Sequence, residues 1–442
     1  MKILDWKNGT YSFVWPEIPF VLAGDKLLKL CIEQFTNGNS LESIKNKLIY
    51  ETSFSEEEVT NFLIEIESAI SFANNYKCSE TSYPENKQSM FTLNLTRKCN
   101  LNCNHCYAGG GKFESEMSKD EIEYVIDYMA SRLVLPKLMI ITGGEPTLEI
   151  EKLKHAIRCG RKHGFKIRVN SNGILLTNEL AKIFHENEVM VQLSLDGIDA
   201  ETHALLRNNL NSYTAVIEAI KILKINNVKF ALSFTIHSKN LNQLPMIIDF
   251  ALIEGAEKLN TSSLVNIGNA KINNLKTVEY INEFKLLYDS VKCDKAKQHL
   301  TRATLFAETV IAIRNGIKFT QCGTGNCTSC IDADGLIYPC LNLMSPSYLI
   351  ADVSKGNLDN QFNTSKIKEA LVNIDIDTLN LKCSSCFFKY WCGGFCRGET
   401  VANGGKLSDP YIRCGSWKKG LLFILKCLAE TPDLYEGEEL YE

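Results

Sequence analysis

The chain has 442 residues, of which 45% are hydrophobic and 23% charged, and its formal net charge at pH 7 is -4. This composition is typical of a multidomain globular protein and lacks the broad basic field expected of a protein that binds nucleic acid. Apolar runs stay short of the ~18 residues that a membrane span requires, and the N-terminus lacks a secretory signal pattern. We therefore expect a cytosolic protein with neither a nucleic-acid nor a membrane partner.

The predicted elements begin with a small unit at residues 1–73. Asn8 and Gly9 stand between two apolar-rich runs, which is a strong hairpin signal. Three helical patterns come next, at residues 25–36, 40–49 and 56–70. Ser55 and Glu58 form a capping-box pattern before the third helix. A hairpin with three helices predicts a winged-helix-like module.

A polar stretch at residues 74–90 predicts a linker, and from 91 to 266 strand and helix patterns alternate. The predicted strands are 91–96, 137–142, 166–171, 190–195, 229–236 and 258–264. Helix 119–133 is preceded by a capping box of Ser118 and Glu121. Six strand–helix repeats indicate a parallel sheet, either a partial (β/α)6 TIM-like barrel or a doubly wound sheet. In both, the active site lies at the carboxyl ends of the strands.

The remaining chain divides into three predicted segments. Residues 267–320 have helical patterns and form a bridge at the end of the barrel. Residues 321–430 are rich in cysteine and glycine and predict a separate metal-binding domain. Residues 431–442 form an acidic tail that we expect to be solvated.

Seventeen cysteines in a large chain that lacks a signal pattern favour metal sites over disulfides. Five of them are scattered and are predicted to be core or inert thiols: Cys31, Cys78, Cys159, Cys293 and Cys427. The other twelve fall into two clusters, at 99–106 and at 322–414. Metal chemistry is therefore predicted at two places along the chain.

The first cluster, "CNLNCNHC", places Cys99, Cys103 and Cys106 in the loop after the first barrel strand. Structural zinc sites usually close with a fourth Cys or His and often use C-x2-C steps. Three thiolates in C-x3-C-x2-C spacing suit a 4Fe-4S cluster with one iron left open. His105 directly precedes Cys106, so it could act as a fourth ligand only by straining the loop.

This stretch resembles the signature of radical S-adenosylmethionine enzymes, with His105 at the position usually held by an aromatic residue. The resemblance implies that S-adenosylmethionine chelates the open iron through its amino and carboxylate groups. It also implies that an electron from the reduced cluster cleaves the sulfonium and releases a 5'-deoxyadenosyl radical. A low-potential electron donor such as a flavodoxin or ferredoxin is then expected as a partner.

Further stretches resemble the same family and come after the expected strands. The turn Gly143-Gly144-Glu145-Pro146 resembles the methionine-binding turn, in which glycine permits close approach of the backbone to a ligand. "NSNGILLT", at residues 170–177, resembles the third-strand loop. In "LSLDGIDAETHALLR" the resemblance assigns Ser194 to the cofactor and Arg207 to its carboxylate. Leu264 stands where the family makes an adenine contact.

The second cluster contains "CGTGNCTSCIDADGLIYPC" at residues 322–340 and "CSSCFFKYWCGGFC" at residues 383–396. These stretches resemble the SPASM domain, a C-terminal extension of radical enzymes that act on peptides and proteins. Two auxiliary 4Fe-4S clusters need eight thiolate ligands, and this part of the chain has nine cysteines. Together with the cluster at Cys99, Cys103 and Cys106, the resemblance implies three 4Fe-4S clusters. The resemblance assigns Cys322, Cys340, Cys396 and either Cys327 or Cys330 to one auxiliary cluster. It assigns Cys383, Cys386, Cys392 and Cys414 to the other. A pair of zinc ribbons is the alternative.

Residues 1–73 resemble the leader-binding module of maturases for ribosomally made peptides, in which the leader adds a strand to the sheet edge. A DNA-binding module is the alternative, but residues 59–70 contain no Lys or Arg. The sequence therefore predicts an enzyme that binds a precursor peptide, abstracts a hydrogen atom and forms an intramolecular cross-link, preferably a thioether.

Three other activities compete with thioether formation. A carbon–carbon link between side chains is the second choice, just behind the thioether. Formylglycine formation, as in anaerobic sulfatase maturases, is disfavoured because the family base, an Asp after the Gly-x4-Cys cysteine, is replaced by Leu341 after Cys340. A non-enzymatic electron carrier would need neither the cofactor-binding turn nor an open cluster.

Overall fold

The structure, a computed structural model, describes residues 1–75, 89–107, 116–325 and 327–439. Most of the predicted 74–90 linker, Cys78 and the last three residues of the predicted tail lie outside these ranges. The described chain is an α/β protein whose parallel sheet carries the cysteine triplet, as the sequence predicts.

The N-terminal unit consists of three antiparallel strands and then three helices. Its elements are β1 (Lys2–Asp5), β2 (Tyr11–Trp15), β3 (Phe20–Gly24), α1 (Lys26–Thr36), α2 (Leu41–Glu51) and α3 (Glu56–Asn75). The hairpin turn predicted at Asn8 and Gly9 joins β1 to β2, and Gly9 has the positive φ of +90° that favours glycine. The capping box before α3 is present, since the Ser55 N–H and the Glu58 N–H each donate to the other side chain. The third strand, β3, was not predicted.

The central part alternates strands and helices as expected. Its strands are β4 (Met90–Thr96), β5 (Leu138–Gly143), β6 (Lys166–Ser171), β7 (Met190–Ser194), β8 (Phe230–Ile236) and β9 (Lys258–Ser263). Its helices are α4 (Lys119–Arg132), α5 (Ile150–Lys162), α6 (Asn178–Glu186), α7 (Ala200–Arg207), α8 (Asn211–Ile225) and α9 (Leu244–Glu254). Short 3-10 turns occur at Pro146–Leu148 and Leu241–Gln243. The six predicted strands and the Ser118 capping box of α4 are confirmed.

Four helices connect this part to the cysteine-rich end: α10 (Asn269–Ile272), α11 (Tyr280–Val291), α12 (Lys295–Thr301) and α13 (Leu305–Arg314). The cysteine-rich end has short strands β10 (Thr328–Ile331), β11 (Leu336–Tyr338) and β12 (Ala351–Asp352), with 3-10 turns at Leu341–Leu343, Pro346–Tyr348 and Val353–Lys355. Its helices are α14 (Leu358–Thr364), α15 (Lys366–Val372), α16 (Leu381–Ser384), α17 (Lys389–Cys392), α18 (Arg397–Ala402) and α19 (Cys414–Glu430).

The main sheet has nine strands in the order β12-β11-β10-β4-β5-β6-β7-β8-β9. Strands β4 to β9 are parallel neighbours, as a partial (β/α)6 barrel requires. Strand β10 adds in parallel to the outer side of β4, with Thr328 opposite Met90. The cysteine-rich end therefore continues the barrel sheet through main-chain hydrogen bonds.

The N-terminal unit has a hydrophobic core of its own that includes Phe13, Ile32 and Leu63, each 0% exposed. The other face of its sheet packs on α19, where the Ser12 hydroxyl donates to the Leu425 carbonyl at 3.0 Å. Val14 belongs to the core that α19 shares with the barrel. The unit is thus a distinct module fixed to the cysteine-rich end.

Among the described helices, none combines the length and apolar content that crossing a bilayer requires.

Candidate functional site

The carboxyl ends of β4 to β8 surround a cleft with about 970 Å³ of empty space. The three cysteines of the first cluster line one side of it, together with Gly143, Gly144 and Glu145 after β5. Polar side chains from the ends of β6, β7 and β8 line the opposite side: Asn170, Ser171, Asn172, Gln192, Ser194 and Ser233. Predicted site residues from three separate stretches of sequence therefore meet in one cleft.

Cys99, Cys103 and Cys106 face this cleft from the loop after β4. Burial raises the pKa of the Cys99 thiol to about 11, and the negative charges of Glu145 and of the other two thiols add to that effect. Burial also raises the pKa of Cys103, which is 8% exposed. Three neighbouring thiolates are stable together only when a cation balances their charge, which is the chemistry of a metal-binding triplet.

The Gly143-Gly144 turn approaches the loop that leads to Cys99. A Cβ on Gly144 would lie 2.0 Å from the Lys98 carbonyl oxygen, and a Cβ on Gly143 would lie 2.3 Å from that of Thr96. The Gly144 N–H donates to the Thr96 carbonyl at 2.7 Å. Glycine at these positions therefore permits close contact with the chain's own cysteine loop, in addition to facing the cleft.

Glu145 ties the same turn to the end of β6. The carboxylate is 1% exposed and accepts from the Ser171 hydroxyl at 2.8 Å and from the Asn172 N–H at 2.8 Å. Burial raises the pKa of Glu145 even though these donors oppose the shift. Asn172 in turn donates from its side chain to Asn100, inside the cysteine loop, at 2.7 Å. Glu145 thus acts as a buried link between the second and third strand ends.

Asp196 is a site residue that sequence reasoning missed. It is 0% exposed, accepts from Arg207 Nε at 2.6 Å and accepts from the Thr235 N–H at 2.7 Å. Burial raises its pKa, but Arg207, His105, His203 and the Thr235 N–H together shift the pKa below its ordinary value. The carboxylate is therefore ionised and holds the guanidinium in place. Its position two residues after Ser194 was the signal available in the sequence.

Arg207 reaches the cysteine triplet, because its Nη1 lies 3.9 Å from Cys103 Sγ. The guanidinium therefore places a positive charge between the Asp196 carboxylate and a thiol of the first cluster.

His105, predicted at the aromatic position of the motif, lines the cleft with Nδ1 3.4 Å from the Leu206 carbonyl oxygen. Burial and, to a smaller extent, the charge of Arg207 lower its pKa to about 4. At neutral pH the imidazole ring is therefore uncharged, and it contributes a planar, neutral surface to the lining of the cleft.

Two predicted cofactor-binding residues lie away from the lining of the cleft. Pro146 is buried at the start of a 3-10 turn. Leu264 comes after β9, is 2% exposed, and accepts at its carbonyl from Arg413 Nη1 at 3.2 Å. Their cofactor contacts stay predictions.

Four cysteines of the second cluster line one pocket: Cys383, Cys386, Cys392 and Cys414. Burial raises the pKa of Cys392 to about 12, and Cys414 and Cys386 contribute to the shift. Lys418 also lines the pocket. These are the four cysteines that the SPASM resemblance assigns to one auxiliary cluster, and they line a single pocket.

Cys322, Cys340 and Cys396 form a second group. Burial, with smaller contributions from the thiols of Cys396 and Cys322, raises the pKa of Cys340 to about 12. The Glu399 N–H and the Asn342 side-chain amide donate to Cys396 Sγ at 3.3 and 3.5 Å. Such N–H donors stabilise a sulfur that carries negative charge as a metal ligand.

Cys327 and Cys330 both lie near this group but in different settings. The Cys327 N–H donates to the Gly323 carbonyl at 2.7 Å, within the loop that carries Cys322. Cys330 is 1% exposed in β10, with its Sγ 3.7 Å from Met344 Sδ.

A buried polar network that sequence reasoning missed connects the barrel to the cysteine-rich end. Arg413 donates to the carbonyls of Leu264 and Val278, and its Nη1 lies 3.6 Å from Glu399 Oε1. The Tyr411 hydroxyl donates to the same Glu399 carboxylate at 2.5 Å. The network joins the loops next to Cys396 and Cys414 to the end of the sixth barrel strand.

The scattered cysteines that the structure describes have varied settings. Cys31, Cys159 and Cys427 are buried, as expected of core thiols, whereas Cys293 is exposed. Cys78 lies outside the described residues.

Comparison with known proteins identifies the central part. Residues 93–251 match the model of the Radical SAM superfamily. The chain is 32% identical to Fe-coproporphyrin III synthase of Methanosarcina barkeri over 38% of this chain and 42% of that one. It is 29% identical to the sporulation killing factor maturation protein SkfB of Bacillus subtilis over 40% of this chain and 43% of that one. The chain therefore spans about two fifths of each of these curated relatives.

Among solved structures, SuiB of Streptococcus suis bound to its precursor peptide SuiA superposes with a TM-score of 0.62. The match covers 82% of each chain at 13% sequence identity. The superposition extends beyond residues 93–251 and shows that this chain and SuiB share a fold.

Proposed function

Residues 93–251 form a radical SAM domain, and from this premise we propose that the protein is a peptide maturase that forms an intramolecular cross-link in a ribosomally made precursor. The observation that carries the proposal is the meeting of three thiols, the glycine turn and the polar strand ends in one cleft. The names of SkfB and of the SuiB complex with a precursor peptide support a peptide substrate. The match to the synthase of Methanosarcina barkeri covers 38% of the chain and carries no substrate assignment here.

Cys99, Cys103 and Cys106 would hold a 4Fe-4S cluster, and the remaining cleft would hold S-adenosylmethionine. The donor set suits this pair, because three thiols leave one iron open and the facing wall offers hydroxyl, amide and guanidinium groups. When bound, the pair supplies an electron and a 5'-deoxyadenosyl radical able to remove a hydrogen atom. Asp196 keeps Arg207 charged and beside Cys103, where the guanidinium can hold a carboxylate.

Two auxiliary 4Fe-4S clusters complete the proposal. Cys383, Cys386, Cys392 and Cys414 would hold one of them, since they surround one pocket. Cys322, Cys340 and Cys396 would hold the other, and we assign Cys327 as its fourth ligand because its loop also carries Cys322. Cys330 is fixed in β10 against Met344 instead. Cys327→Ala should therefore lose about four irons, the content of one such cluster, whereas Cys330→Ala should keep them.

The N-terminal module would bind the leader segment of the precursor. Both β1 and β3 are edge strands of the small sheet among the described residues, so each offers unpaired main-chain groups. Strand β3 is the better candidate, because Phe20 at its start packs on Phe72 of α3 at 5.5 Å between ring centres and forms an apolar margin. Phe72 is 51% exposed, so it can contact a bound peptide.

The reaction we propose first is a thioether bond between a peptide cysteine sulfur and a carbon of another residue, with loss of two hydrogens from the peptide. The 5'-deoxyadenosyl radical would take the hydrogen atom from carbon, the S–H hydrogen would leave as a proton, and an auxiliary cluster would supply the acceptor for the remaining electron. A carbon–carbon link has the same mass balance, and fragmentation distinguishes the two. Formylglycine would give an aldehyde that reacts with hydrazides. A low-potential flavodoxin or ferredoxin would supply the electron, and the protein would work in the cytosol.

The decisive experiment uses anaerobically reconstituted protein with S-adenosylmethionine and dithionite. Wild type should release 5'-deoxyadenosine, and Cys99→Ala should release none, while Cys293→Ala, at an exposed thiol, should match wild type. Coexpression with a candidate precursor, and then mass spectrometry, should show a loss of two hydrogens per link. Absence of 5'-deoxyadenosine from fully reconstituted wild type would reject the proposal.

A further inference from the structure

Helices α4 and α5 pack side by side outside the sheet and present metal-ligating side chains to each other. Glu123 and Asp127 lie one turn apart on α4. His155 and Cys159 lie one turn apart on α5, and His163 is its C-terminal cap residue. Residues four apart lie on the same face of a helix, so the two sets meet along one seam. This seam is remote in sequence from both clusters assigned to iron.

Three of these side chains converge on a single point. The ligand atoms of Glu123, His155 and Cys159 all lie within 4.8 Å of one another. Cys159 Sγ is 3.6 Å from His155 Nε2, and the same nitrogen is 3.6 Å from Glu123 Oε2. Tetrahedral zinc, with bonds of about 2.0 to 2.3 Å, sets neighbouring ligand atoms roughly 3.3 to 3.7 Å apart. Both separations fit that range, and the third, between Cys159 Sγ and a carboxylate oxygen of Glu123, is at most 4.8 Å.

We propose that Glu123, His155 and Cys159 form a zinc-binding site that joins α4 to α5. A mixed set of thiolate, imidazole and carboxylate is typical of Zn²⁺ and unlike the all-thiolate sets of the iron–sulfur clusters. The Lys119 carbonyl oxygen, 3.0 Å from His155 Nε2, lies next to the same point. It or a water molecule completes the fourth position.

The surroundings leave the Cys159 sulfur and one oxygen of Glu123 available to a cation. Cys159 is 6% exposed, so its sulfur is shielded from bulk water. The second oxygen of Glu123 lies 3.7 Å from Lys162 Nζ, which leaves Oε2 for the metal. The Glu123 side chain is 40% exposed, so solvent reaches the seam and an ion can enter.

A metal here would fasten the helix that comes after the Gly143-Gly144 turn. Helix α5 begins at Ile150, just beyond the 3-10 turn at Pro146–Leu148. Zinc bound across the seam would fix this helix against α4 and so stabilise the folded state relative to the unfolded chain. The site would therefore have a structural role outside the cleft.

The test uses reconstituted holoenzyme that is already saturated with iron, dialysed against micromolar Zn²⁺ and then against buffer. Wild type should retain one more equivalent of zinc than Cys159→Ala or His155→Ala, with equal iron in all three. Cys293→Ala, at an exposed thiol, and His185→Ala, at an exposed histidine, are the matched controls and should retain the wild-type amount. The zinc absorption edge should report one sulfur at about 2.3 Å and lighter ligands at about 2.0 to 2.1 Å.

Thermal unfolding gives a second measurement that is independent of activity. Added Zn²⁺ should raise the midpoint of wild type and leave that of Cys159→Ala unchanged. Equal zinc content in wild type and Cys159→Ala, or a spectrum with four sulfur ligands, would overturn the proposal, because the zinc would then lie in the cluster cysteines.

Discussion

At the scale of single residues, hydrogen bonds and close contacts within the chain shape the cleft at the carboxyl ends of β4 to β8. The glycine turn, Glu145 and Asp196 each hold a loop or side chain that lies beside the three cysteines. Mutations at these positions should therefore act through the geometry of the cysteine loop, even where the mutated side chain has no place in the reaction.

Gly144→Ala should disturb the first cluster. Its Cβ would lie 2.0 Å from the Lys98 carbonyl oxygen, so the loop has to move. We expect a loss of ~1–3 kcal/mol in stability and of about four irons per chain, the content of one 4Fe-4S cluster. Gly255→Ala is the control, since its Cβ meets no atom within 4 Å and only its left-handed backbone, with φ +77°, is strained. Iron analysis should show full occupancy in that control, and equal occupancy in Gly144→Ala would contradict the prediction.

Glu283 should make stability depend on pH. Burial raises its pKa to about 7, although the Ser263 hydroxyl and Arg413 oppose the shift. Because this pKa lies above the ordinary value of 4.5, the folded state binds the proton more tightly than the unfolded state. The stability is complete below about pH 4.5 and is lost as pH rises towards 7, by about 3 kcal/mol in total.

Glu283→Gln should remove this dependence. Unfolding midpoints of wild type and variant, measured from about pH 5 to 8, should diverge in favour of the variant as pH rises. Glu279→Gln, at a half-exposed carboxylate that begins the same helix, should run parallel to wild type. A constant difference across the range for Glu283→Gln would refute the raised pKa.

At the scale of elements, both faces of the N-terminal sheet are packed against other parts of the chain. One face covers its own core and the other packs on α19, so a deletion of residues 1–73 would also uncover α19. Point mutations at the exposed margin of the module are therefore the better test of leader binding.

Phe72→Glu should weaken leader binding at least tenfold. Phe72 is half-exposed beside Phe20 of β3, and a charge there would lie next to the proposed peptide strand. Tyr50→Glu, at a 92% exposed position on α2, should bind like wild type. Fluorescence anisotropy with a labelled leader peptide measures both, and equal affinities would exclude the β3 edge.

The elements also show how far the sequence predicts the fold. The six barrel strands were located because buried parallel strands are apolar runs between helical patterns, and α4 was bounded by its Ser118 capping box. The attachment of β10 to β4 was not predicted. Four residues of strand carry too little pattern, and the pairing of Thr328 with Met90 is a long-range contact that a single sequence does not encode locally.

The candidate site likewise contains residues that the sequence predicted and residues that it did not. Cysteine spacing predicted the triplet, and the resemblance to the SPASM domain assigned the quartet that lines one pocket. Asp196 was missed, because a buried Asp is recognised only when its partner Arg207 and the Thr235 N–H are seen around it. Spacing also gave no means to choose between Cys327 and Cys330.

At the scale of the whole molecule, two sets of thiols in the cysteine-rich end and one at the mouth of the barrel predict about twelve irons in reconstituted protein. Cys386→Ala should hold about eight, since it removes a ligand of the pocket quartet. It should still form 5'-deoxyadenosine, because the cleft and its triplet are intact, yet it should fail to modify the peptide. Full peptide modification by Cys386→Ala would show that this pocket has no part in the reaction.

The parallel pairing of β10 with β4 has a consequence for biosynthesis. During synthesis, Thr96 and the cysteines after it leave the ribosome long before Thr328. The edge of β4 that pairs with β10 therefore stays unpaired until Thr328 has been made. We expect iron delivery to the first triplet to come after completion of the polypeptide. Nascent chains arrested ahead of Thr328 should accordingly take up less iron at this triplet than released chains do.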